Sequence, residues 1–372
     1  MIFGICDSCE RVPEGIHFGS TCELACHDDR DPRYVPLIRR MIVQDCVFGV
    51  ENLPDETPAL VPAACSDNIG IAMLRSRAPG RKDTAQIQAV LRYGSHGFAH
   101  GHFDRMGLLS LLRYGRSFFN PQCVWWGYPH CMYKFHVQNA MTRNMAVVDE
   151  KHQNVADSRL TLFARGRRVQ AACVENEVTW SYPSCGGMVC DEHAALEARC
   201  RFTGCTEPIM TRRLMAVAED CIVLFDALQG DREQRFSSLF QIKGFRGLEG
   251  DARETGHTRR FTDDPLSGGQ SITDCRPFDA IGPACARFRA VFGEGEDLRG
   301  TRSEHNEPGI LSMAVHTAWP AQTHQLGLVA EDHHMDIPVD GRTLARGTSG
   351  HGWAARRSST ATCPARTPCA CA

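Results

Sequence analysis

From Ile69 onward the chain is written in short apolar and β-branched runs, IGIAMLRS, AQIQAVLRYG, LLSLLRYG, NMAVVDEK, SRLTLFARG and RVQAACVENEVTW, broken by Gly, Pro, Asn or Asp. Runs of this length bounded by turn residues predict strands of an antiparallel sheet. The series resumes in RRLMAVAEDCIVLFDALQG and FSSLFQIKGF, with a hairpin turn predicted at Glu219 and Asp220. Residues 250–310 are rich in Gly, Asp and Arg and read as loops with short strands, and GILSMAVHTAWP and HQLGLVA supply two more strand runs. Ahead of the strands, DDRDPRYVPLIRRMIVQD carries Asp and Pro at its start and then apolar residues at helical spacing, so residues 1–50 are read as helical. Residues 51–68, with three prolines and several acidic groups, suit a linker. The expected organisation is a mainly β protein with an antiparallel β-sandwich region at 69–345. Residues 346–372 lack periodicity and are expected to be a disordered tail.

A chain of 372 residues with 42% hydrophobic positions can bury a sizeable core. The formal net charge of -3, with Arg and Lys scattered, gives no basic stripe for nucleic acid. No apolar run approaches the roughly 18 to 20 residues that span a bilayer, and the N-terminus shows no signal-peptide pattern, so neither membrane nor leader is expected from these residues. The 19 cysteines are odd in number and dispersed, which makes a reducing, cytoplasmic compartment the simpler reading; a periplasmic or secreted location stays open if the N-terminus is missing. Cys6 with Cys9 and Cys22 with Cys26 have spacings seen in zinc sites, but buried free thiols are the commoner explanation.

Candidate chemistry concentrates in residues 93–104, YGSHGFAHGHFD. On an extended strand His100 and His102 point to the same side, and the interleaved glycines let the backbone bend sharply. Taken bare, the pair has three readings. One is a histidine pair satisfied by backbone groups. Another is a cupin-type jelly roll, since Gly94, five residues and then His-x-His fit its opening, although Met106 and Gly107 stand where its Glu is expected.

The third rests on the order of three motifs: HGHFD at 100–104, FNPQ at 119–122 and TRNMAVVD at 142–149. Their succession over residues 66–245 resembles the C-terminal β-domain of the heparinase II/III-like polysaccharide lyases, including the oligo-alginate lyases. The resemblance implies cleavage of uronate-containing polysaccharide by β-elimination. The C5 proton is too weakly acidic to leave unless the neighbouring carboxylate is neutralised, and a general base must take it while an acid protonates the departing oxygen.

Carried over by motif, His100 faces the substrate carboxylate and His102 ligates a structural zinc. Two further positions depart from the pattern. Asn120 stands where the family has Asp, and Arg143 where it has His, beside the matching Asn144. An amide oxygen is a poor zinc ligand and a guanidinium is none, so the expectation is that zinc is absent and Arg143 supplies its positive charge at the substrate. The other reading is that His96, His130, His136 or His152 supply substitute ligands. Tyr128 and Tyr133, with Trp125 and Trp126, are read as sugar-stacking candidates, against the commoner role of aromatics as core. Asp104 reads equally as a catalytic group and as a turn residue or partner fixing a histidine, Arg212 and Arg213 are within the residue types that reach an acidic substrate but are read as solvated, and His333 and His334 receive no role.

In this family a long α/α toroid precedes the β-domain and supplies the base and acid. Residues 1–50 are read as its last helices, which makes the expected active site incomplete, with a missing helical domain or a second copy as partner. The alternative is a β-sandwich that binds acidic glycans without cutting them.

Overall fold

The computed structural model describes residues 63–67, 70–82, 85–95, 102–114, 116–118, 138–181, 206–242, 244–261, 272–292, 309–318, 324–332, 338–339, 342–343 and 352–357. The expected N-terminal helices and the four N-terminal cysteines lie outside them.

Five strands form the first sheet in chain order: β1 (Ala63–Ser66), β2 (Ile71–Arg75), β3 (Gln88–Arg92), β4 (Leu108–Arg113) and β5 (Arg116–Ser117). β1 falls within the stretch expected to be a linker and pairs along β2. Next come β6 (Ala146–Val148), β7 (His152–Gln153), β8 (Arg159–Arg165), β9 (Gln170–Val178), β10 (Trp180–Ser181), β11 (Ile209–Val217) and β12 (Ile222–Gln229). A second sheet runs in the order β12-β11-β9-β8, while β7 pairs β10. The β11–β12 hairpin turns at Glu219 and Asp220 as predicted, with the Ala218 amide donating to the Cys221 carbonyl.

The remaining strands are β13 (Phe236–Gln241), β14 (Phe245–Glu249), β15 (Arg253–Glu254), β16 (Thr258–Arg260), β17 (Ile272–Ile281), β18 (Ala284–Phe292), β19 (Gly309–Thr317), β20 (His324–Asp332), β21 (Pro338–Val339), β22 (Arg342–Thr343) and β23 (Gly352–Arg357). With β6 they build a third sheet, β15-β17-β20-β23-β13-β6 with β16 on β17, and a fourth, β14-β18-β19, while β21 pairs β22. β23 lies in the stretch without periodicity, and its backbone pairs with β13 on one side and β20 on the other.

The described strand pairings are antiparallel, and the sheets stack face to face as a β-sandwich. Its main core is shared by three sheets: Leu74 and Leu91 from the first, Val174 and Met215 from the second, Phe245 and Phe288 from the fourth. The Phe245 and Phe288 rings lie 5.3 Å apart in a tilted contact, and burying each large side chain contributes about 1.5–3 kcal/mol. A smaller core of Met145, Val147, Trp180, Ile209 and Leu239 underlies the segment with the TRN motif.

Two glycines fix where residues 93–104 begin. Gly70 has φ +73, and a Cβ there would sit 1.8 Å from the Tyr93 carbonyl oxygen; Gly94, at φ +80, faces the Gly70 Cα. Only residues without a side chain let the β1–β2 turn touch the backbone this closely.

Candidate active site

The site is built on the turn that follows the second histidine of HGHFD. Phe103 is fully buried against the His152 ring, with centroids 3.9 Å apart, so the residues flanking it are held at the protein's interior edge. The Gly107 amide then donates to the Asp104 carbonyl at 2.7 Å, closing a turn in which Met106 adopts φ 74. That left-handed conformation is costly for a side chain as large as Met and persists only where surrounding bonds impose it. Three do so: the Met106 amide donates to the Arg92 carbonyl at 2.9 Å, the Arg92 amide donates to the Gly107 carbonyl at 2.9 Å, and the Met106 carbonyl accepts from Arg213 Nη1 at 2.9 Å.

The TRN segment comes to the same place. Arg143 Nη2 donates to His102 Nδ1, which makes Nδ1 the acceptor and puts the proton of the neutral ring on Nε2. Asn144 is a structural clamp: its carbonyl accepts from the Leu108 amide and from Arg213 Nη1, both at 2.8 Å, while its side-chain oxygen accepts from the Gln241 amide at 2.5 Å. Just upstream, Asn139 caps the short 3-10 turn Ala140–Thr142, its side chain accepting from the Met141 amide.

Arg213 is the hub. It is 1% exposed, pairs through Nε and Nη2 with the two Asp226 oxygens at 2.6 and 2.8 Å, and spends Nη1 on the carbonyls of Met106 and Asn144. This corrects the expectation that both arginines of the pair are solvated. β11 alternates, with Ile209, Thr211, Arg213, Met215 and Val217 facing inward, so neighbouring Arg212 faces outward, where it pairs with Glu175.

Charge is concentrated on the turn. Burial pushes the Asp104 carboxyl up, but the positive charges of Arg105, Arg92 and Arg143 outweigh it and hold Asp104 at about 2. Arg105 goes the other way: burial lowers it to about 10, only partly offset by the Asp104 carboxylate. Asp104 is thus both the turn residue expected from the sequence and the counter-ion of a cationic cluster. Tyr93, at the start of the stretch, is raised above the usual phenol range, first by burial and then by donating to Asp67 at 2.6 Å.

Of the residues singled out from the sequence, the structure brings together His102 and Arg143, with Asp104 beside them. His100, Asn120, Tyr128 and Tyr133 lie outside the described residues, as do Trp125, Trp126, His96, His130, His136, His333 and His334. His152 is described, and its Nδ1 accepts from the Ala140 amide at 3.2 Å. Among the described residues His102 meets a guanidinium, whose fixed charge repels a cation, and no group of three His, Cys, Asp or Glu is arranged to hold a metal ion; the candidate ligands Asn120, His96, His130 and His136 lie outside them. Arg105, Arg92 and Gln153 are the site residues that sequence patterning passes over, since none belongs to the motifs and each reads as an ordinary polar position.

No family model matches the chain, and no curated protein matches it. Among solved structures, heparan sulfate lyase HepC from Pedobacter heparinus aligns over 92% of this chain and 40% of its own, at 10% identity and a TM-score of 0.47. A heparinase III aligns over 90% of this chain and 39% of its own, at 11% identity and a TM-score of 0.43. The chain spans well under half the length of each of these structures.

Proposed function

We propose that the chain is a polysaccharide lyase-type protein whose β-sandwich site meets the carboxylate of a uronate-containing polysaccharide for cleavage by β-elimination. The observation that carries the reading is the contact of Arg143 with His102, which joins the HGHFD and TRNMAVVD motifs across 41 residues of sequence. Elimination beside a carboxylate needs positive charge and hydrogen-bond donors fixed before the substrate arrives. His100 is assigned to the substrate carboxylate. Arg143 supplies the permanent charge that zinc would otherwise bring and fixes the orientation of the His102 ring. One tightly held zinc per chain on metal analysis would contradict that last assignment. Tyr128 and Tyr133 are assigned to sugar subsites, where their ring faces stack on pyranose rings.

One observation favours a second reading, an acidic-glycan-binding module that does not cut. Tyr93, the phenol that opens the 93–104 stretch, is committed through its hydroxyl to Asp67, so a general base has to come from elsewhere, and without one the site binds and does not cut. Incubation with a uronate polysaccharide separates the two, with binding and the ultraviolet absorbance of unsaturated uronate read together. A lyase gives a rise that His100→Ala lowers by on the order of 100-fold. Binding without a rise supports the module, and neither binding nor a rise overturns both readings.

A further inference from the structure

Arg105 is 1% exposed, yet it meets only part of its hydrogen-bonding demand. Nη1 donates to Asp104 Oδ1 at 3.0 Å, while Nε and Nη2 are buried with no acceptor. Those two N–H groups share one edge of the planar guanidinium and point in parallel, the arrangement that grips two oxygens of a single carboxylate, sulfate or phosphate. The backbone that carries them is pinned from both sides by Gln153, whose Oε1 accepts from the Arg105 amide at 3.2 Å and whose Nε2 donates to its carbonyl at 3.3 Å. Arg92 also has a buried Nε without an acceptor, and it lies close enough to repel Arg105.

Charge counting points the same way. The guanidinium groups of Arg92, Arg105 and Arg143 and the His102 ring act on the cluster, against the carboxylates of Asp104 and Asp157. Among the described residues these permanent cations outnumber the anions, and an incompletely matched buried charge is costly.

We propose that the Nε/Nη2 edge of Arg105, with Arg92 beside it, is a binding site for one oxoanion, either a carboxylate or sulfate group of an acidic glycan or a free inorganic anion. The donors are present whatever the chain cuts; only the assignment of the oxoanion to a glycan rests on the proposed function.

The test uses the full chain, titrated with sodium sulfate and separately with sodium glucuronate against sodium chloride at equal ionic strength, by calorimetry and thermal unfolding. Sulfate stabilises proteins generally through exclusion from their surface, so the diagnostic quantity is the saturable part of the effect. Saturable binding of sulfate is expected, and Arg105→Met, which keeps the stem and removes the donors, weakens it at least about tenfold. This variant also strands the Asp104 carboxylate, so its Tm in chloride is expected to fall, and the two proteins are compared at a temperature where both are folded. Absence of saturable binding, or equal binding by Arg105→Met, overturns the proposal. Should that variant not fold, selenate soaked into crystals of the parent gives the same decision: an anomalous peak within hydrogen-bond distance of Arg105 Nε supports the site, and an empty edge overturns it. Glucuronate bound in competition with sulfate supports the glycan source, and sulfate bound alone supports the inorganic one. Neither arm depends on the absorbance assay, so the anion site and the lyase reading fail separately.

Discussion

Arg213→Met is expected to lower the unfolding free energy by about 3–5 kcal/mol, a large fraction of the roughly 5–15 kcal/mol that holds an ordinary domain folded. The substitution keeps most of the apolar stem but strands the Asp226 carboxylate, which is buried and bonded to Arg213 through both oxygens. It also removes the donor shared by the Met106 and Asn144 carbonyls, and with it one of the bonds that impose the left-handed Met106 conformation. The turn with Asp104 and the TRN segment are therefore expected to loosen together. Urea unfolding followed by tryptophan fluorescence measures the loss, and a change below about 1 kcal/mol, the range of an exposed ion pair, would refute the role of Arg213 as the hub.

Asp104→Asn is expected to cost a comparable amount, about 3–5 kcal/mol, for the opposite reason: it leaves Arg92, Arg105 and Arg143 without their central counter-ion. The same carboxylate gives the protein a defined acid sensitivity. Its folded-state value, about 2, lies below the ordinary 3.8, so its contribution is present above the ordinary value and disappears as the pH falls through about 2. The separation corresponds to about 2 kcal/mol. The parent is accordingly expected to lose that much between roughly pH 4 and pH 2, in excess of the loss shown by Asp104→Asn over the same range. Parallel stability curves for the two proteins in that window would contradict the assignment.

The antiparallel strands were legible because their runs are short, alternating and bounded by turn residues, and Glu219 and Asp220 mark a hairpin by the same logic. The meeting of His102 with Arg143 was foreshadowed by the order of the motifs, though not by any local pattern. What could not be read was parity. In IMTRRLMAV both alternating sets contain apolar residues, so nothing local says whether Arg212 or Arg213 faces the core; the sheet decides it by packing Ile209, Met215 and Val217 inward. Arg105 was hidden for a related reason. It follows a motif aspartate in a turn, where arginines are usually solvated, and its burial comes from Gln153, Arg92 and Arg213 converging from distant strands.

The proposed function requires that the cationic cluster held by the Arg143–His102 contact receive the carboxylate of an acidic sugar. Calorimetric titration of the full chain with a uronate oligosaccharide, in parallel with Arg143→Ala, tests it directly. Saturable binding that weakens at least about tenfold in the variant, while the variant keeps its cooperative unfolding, is the predicted result. An oligosaccharide that does not bind, or that binds both proteins equally, would contradict the claim.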